Sequence, residues 1–430
     1  MYYQYYSTWK QHIQQFFQIF SKPGAEIFFQ MTIGWVLCTT RRTVTGIFSF
    51  VDPLEKRSHD AYHRFFPDGR WLLGSMWKLL AEILVQRFCP KGIITLSMDD
   101  TLFHHSGRKV SGAGYWRDAV RSTHTKVVHA WGLNLLATAL QIQTPWGGEP
   151  LALPINMRLH RKKEDTLIEL ATNSIKEICQ WFPQRHIRLV ADGFFATLSG
   201  YELGSVTIIS RIRRDATLYE LPPKGKSKKR GRPRLRGKKL AKLGKIAEKV
   251  KDWRKVKFCQ RGKEVKKLVY SFVAIWYSVT HKPVRIVICR DPEGKEKDDY
   301  FFTTDINMQP QEVLACYADR WAIEDTFKNV KQLLGAQQPQ TYKGQGPERA
   351  AGFGLWLYSM VWLRYLTKKP DEQIFFVRPW YQHKTTPSFA DAVADLRREL
   401  WIERIKYMFG NSAVHDEKFK FLLEALASAA

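Results

Sequence analysis

The sequence predicts an α/β protein with a helical N-terminal part, on three observations. Apolar residues recur with helical period up to about residue 90. Two short apolar runs, Ile93 to Met98 and His186 to Ala191, each stop at an aspartate, as buried strands do at a sheet edge. A long amphipathic pattern from Gln309 to Leu334 again has helical period.

Along the chain, Trp9 to Phe20, Glu26 to Thr39 and Trp71 to Phe88 read as helices. Between them, Arg41 to Gly46 and Ser58 to Phe66 are candidates for a helix-turn-helix that reads DNA. After Pro90-Lys91-Gly92 comes the first strand, ending at Asp99-Asp100, and Val127 to Ile142 supplies one or two more. Glu164 to Trp181 is a helix started by a charged turn, followed by the strand ending at Asp192 and by the β-rich Ser205 to Ile212. Strand-like runs return at Leu268 to Thr280, Val284 to Cys289 and Tyr300 to Thr304, and Ala350 to Leu366 is an apolar helix.

The chain has 430 residues, enough for several structural units, and its 44% hydrophobic and 25% charged content is ordinary for a folded protein. Six cysteines are scattered without a CxxC pair, which argues against a disulfide framework and zinc fingers. No signal peptide is evident and the longest apolar run, Phe353 to Leu363, is too short to span a membrane, so a cytoplasmic protein is expected. The formal charge of +27 calls for a polyanion. Lys224 to Lys267 holds 21 Lys or Arg against three acidic residues, so +18 of the surplus sits in one segment. Its start is too rich in Gly, Pro and charge to fold alone and reads as a basic loop that orders on phosphates. Within it Arg230-Gly231-Arg232-Pro233 resembles the core of an AT-hook, which lies in a narrow minor groove.

Asp99 and Asp192 end buried strands, and Glu324 lies in the later helix. Three converging carboxylates ordinarily need cations, and two Mg²⁺ ions ~3.5–4 Å apart suit phosphodiester chemistry. On a wheel of about 100° per residue, Tyr317, Arg320, Glu324, Lys328 and Lys331 fall within about 80° of one another, a carboxylate ringed by cations. In this reading the glutamate takes metal while Arg320 and Lys331 hold DNA phosphates.

These residues resemble the DDE transposases of bacterial insertion sequences, in the branch marked by Tyr-x2-Arg-x3-Glu-x6-Lys, complete here as Tyr317, Arg320, Glu324 and Lys331. Leu96 to Thr101 and Leu189 to Phe195 are similar to that family's two aspartate motifs. The resemblance implies an RNase H-like core, a five-stranded mixed sheet with flanking helices and a β-rich insertion. It implies Asp99, Asp192 and Glu324 as catalytic metal ligands, with Asp100 the alternative to Asp99, and two Mg²⁺ ions per site for which Mn²⁺ can substitute. The expected reaction is cleavage at terminal inverted repeats followed by joining of the 3′-OH to target DNA. A homodimer is expected in the synaptic complex, and association with the bacterial nucleoid when DNA is bound.

The expected division is 1–90 as a helical DNA-binding domain, 91–215 and 281–345 as two parts of the core, 216–280 as a basic insertion, and 346–430 as a helical C-terminal region. Tyr317, Arg320, Lys328, Lys331, Arg230, Arg232 and Arg234 are the expected DNA contacts. Trp253, Trp276 and Trp321 are candidates for stacking on an extruded base, and His104, His105, Arg108 and Lys109 for touching the cleaved phosphate. A structure-specific nuclease and an inactive transposase-derived DNA-binding protein are the competing readings.

Overall fold

The computed structural model describes residues 7–52, 56–123, 125–223, 234–373, 375, 377, 381–411 and 417–428. Five helices come first: α1 (Ser7–Ile13), α2 (Lys22–Leu37), α3 (Val44–Phe48), α4 (His59–Phe65) and α5 (Leu73–Phe88). Strands β1 (Ile94–His104), β2 (Gly114–Arg117), β3 (His129–Ile142) and β4 (Leu151–His160) precede α6 (Leu167–Trp181), whose start carries a Thr166/Glu169 capping box. Then come β5 (Ile187–Ala191), a 3₁₀ turn over Gly193–Gly200, β6 (Val206–Arg211), α7 (Leu243–Lys249), β7 (Arg254–Gln260), β8 (Lys263–Ile275), β9 (Pro283–Arg290) and β10 (Asp299–Thr303). The chain closes with α8 (Pro310–Asp319), α9 (Ala322–Gln332), α10 (Gly346–Thr367), α11 (Phe389–Phe409) and α12 (Glu417–Ser428).

The expectation of five strands is corrected. Among the described residues, ten strands form one mixed sheet in the order β2-β3-β1-β5-β6-β10-β9-β8-β7, and β4 lies beside β2 along the same edge of β3. Only β1–β5 and β5–β6 are parallel. The basic insertion is therefore no separate unit at 216–280. Its strands β7 and β8 pair on through β9 and β10 to the central strands, because unpaired backbone groups at the edge of β6 would otherwise be left open.

Side chains alternate across the pleat and divide the core in two. Leu189, Ile208, Ile286 and Phe302 enter the main core, while Val190, Ile209, Val287 and Phe301 enter a smaller one on the opposite face, covered by Val313 and Leu314 of α8. The main core is continuous from Trp9 to Leu400, so the boundaries at 90 and 346 separate no independent cores. Arg349 of α10 binds the carbonyls of Phe66, Gly69 and Trp71, and Arg397 of α11 that of Val36. The anticipated helix-turn-helix is also corrected: α3 and α4 are short, and α4 spends Tyr62 and Phe65 on the core. α10 is apolar nearly all round because it is buried, and no described helix is long and apolar enough to cross a membrane.

Gly34 of α2 faces α3 so closely that a Cβ would lie 2.3 Å from the Ile47 carbonyl oxygen, whereas Gly74 of α5 has open space. Gly34→Ala should lower stability by about 1–3 kcal/mol in urea denaturation, and Gly74→Ala should raise it by about 0.5–1 kcal/mol. Equal effects at both positions would contradict the α2–α3 packing.

Candidate active site

The parallel ladder between β1 and β5 ends with Met98 opposite Ala191, so the next residues, Asp99 and Asp192, stand on adjacent strands. Asp192 closes β5: its carboxylate accepts the Phe194 N–H at 2.8 Å and caps the 3₁₀ turn, while the Ser210 hydroxyl donates to its carbonyl at 2.7 Å. Asp99 differs from expectation. It lies in the middle of an eleven-residue strand, because β3 continues to pair with β1 as far as His104.

The expected single helix from Gln309 to Leu334 is broken at Arg320 and Trp321, where N–H groups bond three residues back instead of four. That tighter turn advances the chain faster than an α-helix and breaks the uniform stripe. It brings the Arg320 side chain onto the sheet, buried, with one guanidinium nitrogen donating to Asp99 at 2.9 Å and the other to Glu324 at 2.7 Å. Arg320 was expected on DNA phosphates; here both hydrogen-bonding arms are spent on carboxylates. Its flank rests on Tyr317, whose half-buried ring also packs on Phe301 at 4.8 Å and lies 5.7 Å from the Arg211 guanidinium. Tyr317 thus supports the arginine and the smaller core.

Burial pushes the Asp99 carboxyl up to about 7; Arg320 pulls the other way, and the charges of Asp192 and Asp100 add to the rise. Asp100 is raised as well, by desolvation first and by Asp192, against a hydrogen bond from Asn134. Burial opposes the Arg320 charge, but Tyr317, Asp99 and Glu324 outweigh it and the guanidinium is held firmly charged. Lys331 is lowered by burial, with Asp118 and Asp100 opposing, and its ammonium lies 5.8 Å from the Phe103 ring. Lys328 is exposed.

Of the tryptophans, Trp276 is buried edge-on to Phe302, which removes it as a stacking surface. Trp253 donates to the Val250 carbonyl and carries the Arg290 guanidinium on its ring at 4.2 Å. Trp321 is 40% exposed, and Arg261 at the β7–β8 turn lies over it at 4.2 Å. Arg234 is exposed, and Arg230 and Arg232 lie outside the described residues. Sequence reasoning missed Asn134 beside Asp100, and Asp118, which pairs at 2.9 Å with the anticipated His104; neither carries a motif, and each is brought to β1 by its neighbours in the fold.

Among the described residues no group of three His, Cys, Asp or Glu side chains is spaced to hold one metal ion, since Arg320 stands between Asp99 and Glu324. The donors nevertheless fit hard divalent cations. They are carboxylates, and Asp99 is raised first by burial and further by the neighbouring Asp192 and Asp100, so a bound cation would favour its charged form. An acid whose folded pKa lies near 7 instead of about 3.9 binds more protons when folded, so its contribution to stability falls as pH rises between those values. In EDTA, Asp99→Asn should therefore melt higher than the wild type at pH 8, with the gap closing toward pH 4. A wild type that melts higher at pH 8 would show that Arg320 dominates Asp99.

Two protein families match parts of the chain. Residues 15–271, more than half of the chain and both aspartate strands, match the family described as "DDE superfamily endonuclease". Residues 239–364, which include Tyr317 to Lys331, match the family described as "Archaeal putative transposase ISC1217". No curated protein matches the chain. A cryo-EM structure of a piggyBac transposase synaptic complex with hairpin DNA aligns at 12% identity over 95% of this chain and 76% of that chain, with a TM-score of 0.42. With the acids of β1 and β5 inside the first match, the chain belongs to the DDE superfamily of endonucleases.

Proposed function

We propose that the protein is a DNA transposase that cuts the ends of its element at terminal inverted repeats and joins the freed 3′-OH ends to target DNA. The observation that carries this reading is that the β1–β5 ladder sets Asp99 beside Asp192 while Arg320 joins Asp99 to Glu324. The order β4-β3-β1-β5-β6, with β1, β5 and β6 parallel, supports the RNase H-like core within the larger sheet.

Asp99, Asp192 and Glu324 would hold the divalent metal that enzymes of this superfamily use, two Mg²⁺ ions in our reading. When bound, the metal would activate the attacking oxygen and stabilise the leaving one. Asp99 is preferred to Asp100 because it shares Arg320 with Glu324, whereas Asp100 turns to Asn134. Arg320 holds β1 and α9 at a set separation and orients both carboxylates. Exposed Lys328, and Arg254, Lys255, Lys257, Lys263 and Lys266 on the β7–β8 ribbon, offer cations to the DNA backbone. Two element ends cut together call for a dimer on DNA, and we place the protein among bacterial insertion-sequence enzymes on the Tyr317, Arg320, Glu324 and Lys331 signature.

The test is cleavage of labelled linear DNA carrying the element's own end, in Mg²⁺, Mn²⁺ or EDTA. The wild type should form 3′-OH ends at the repeat boundary only with metal, and Asp192→Ala and Glu324→Ala should each reduce the rate by at least about a thousandfold. Cutting that follows branched junctions irrespective of the repeat would favour the structure-specific nuclease. Salt-sensitive binding without any cutting would favour a DNA-binding relative lacking the chemistry.

A further inference from the structure

A cavity of about 960 Å³ opens between the loop that follows β1 and the segment that follows α9. Arg41, Arg108, Lys109 and Lys343 contribute four cations to its wall, the lining contains no carboxylate, and the side chains of Gln337, Gln338 and Gln340 stand among them. Tyr342 adds an aromatic ring that is 49% exposed. Cations alone would suit any anion. Cations with amides and an open ring suit an anion that also has a flat heterocycle with hydrogen-bonding edges.

The cavity is built in advance. The Gln338 side-chain carbonyl accepts the Arg42 N–H at 2.8 Å and that of Gln337 accepts the His104 N–H at 3.4 Å, so the amide NH₂ ends are the parts left to meet a ligand. The Ser111 N–H donates to the Tyr342 carbonyl at 2.9 Å and ties the two loops together. Gly335 makes the turn out of α9 with φ +53°, where a Cβ would meet the Gln338 amide at 2.5 Å. The cavity also adjoins the acids: His104 on its wall is paired with Asp118, and Lys331 interacts with both Asp118 and Asp100. Five residue steps along β1, about 17 Å, lead from Asp99 to His104, a span of two or three nucleotides of extended strand.

We propose that this cavity binds an unpaired stretch of DNA strand one or two nucleotides long, with a base stacked on Tyr342, its edge on the glutamine amides and its phosphates on Arg108, Lys109 and Lys343. The proposal rests on the chain acting on DNA but not on cleavage, and it places the loose strand at the β1 end of the site, away from the basic β7–β8 ribbon.

The test uses the whole chain in EDTA with a fluorescent five-nucleotide DNA, with and without 5-iodouracil. Irradiation should crosslink the iodinated pentamer at Tyr342. Tyr342→Ala should weaken pentamer binding about fivefold or more, Tyr342→Phe should retain it, and Lys255→Glu on β7 should weaken duplex binding while sparing the pentamer. Crosslinks confined to β7, β8 or α9, unchanged pentamer affinity in Tyr342→Ala, or displacement of the pentamer by equimolar inorganic phosphate would each overturn it. Asp192→Ala, which tests cleavage, should crosslink like the wild type, so loss of the catalytic reading and loss of this one give different results.

Discussion

The Arg320 guanidinium is the contact on which the site's geometry depends. It joins two elements that sequence separates by more than two hundred residues: the central strand carrying Asp99 and the helix carrying Glu324. The guanidinium is buried, where an unpaired charge is costly, so the bridge is held by the penalty of breaking it as much as by its own attraction. The two-residue 3₁₀ turn that delivers Arg320 is the local departure that makes this possible. An ideal helix through the same residues would have kept arginine and glutamate on one stripe facing outward, able to grip a phosphate but not to span two carboxylates.

The same economy of charge explains the rest of the molecule. The surplus of positive charge stays on the outer strands and the segments around them, where Lys255 and Lys257 alternate with the inward Val256 and Phe258. Cations that come near aromatic rings use them: Arg236 lies between Tyr219 and Tyr277 at 4.1 and 3.9 Å, and Arg290 and Arg261 cover Trp253 and Trp321. The insertion is thus a basic extension of the catalytic sheet, rigidly continuous with β5 and β6. A ligand held on β7 and β8 would be placed relative to Asp192 by an unbroken ladder of hydrogen bonds. In the same way the α2, α10 and α11 helices are one packing unit, pinned by buried arginines on backbone carbonyls, although they come from opposite ends of the chain.

Much of this was legible in residue order. Alternation and burial mark β1 and β5, the aspartates after their parallel pairing are visible as Met98-Asp99 and Ala191-Asp192, and the spacing of Tyr317, Arg320, Glu324 and Lys331 singles out one helical region. Local pattern is enough there because each feature lies within one element. Other expectations failed where the answer depended on a distant partner. The continuation of β1 past Asp99 is set by β3, the burial of Trp276 by Phe302, and the use of α4 by the aromatic core beneath it.

The sequence by itself determined the α/β class, the two apolar strands that lead to Asp99 and Asp192, and the concentration of positive charge. Those properties follow from periodicity, composition and spacing along one chain. Only the tertiary structure decided that the insertion extends the sheet, that Arg320 bridges Asp99 and Glu324, and that the loops after β1 and α9 close around a shared cavity. The reason is physical: register, desolvation and the meeting of loops from distant positions arise between elements, and no local pattern of residues encodes which neighbour an exposed edge or a buried charge will find.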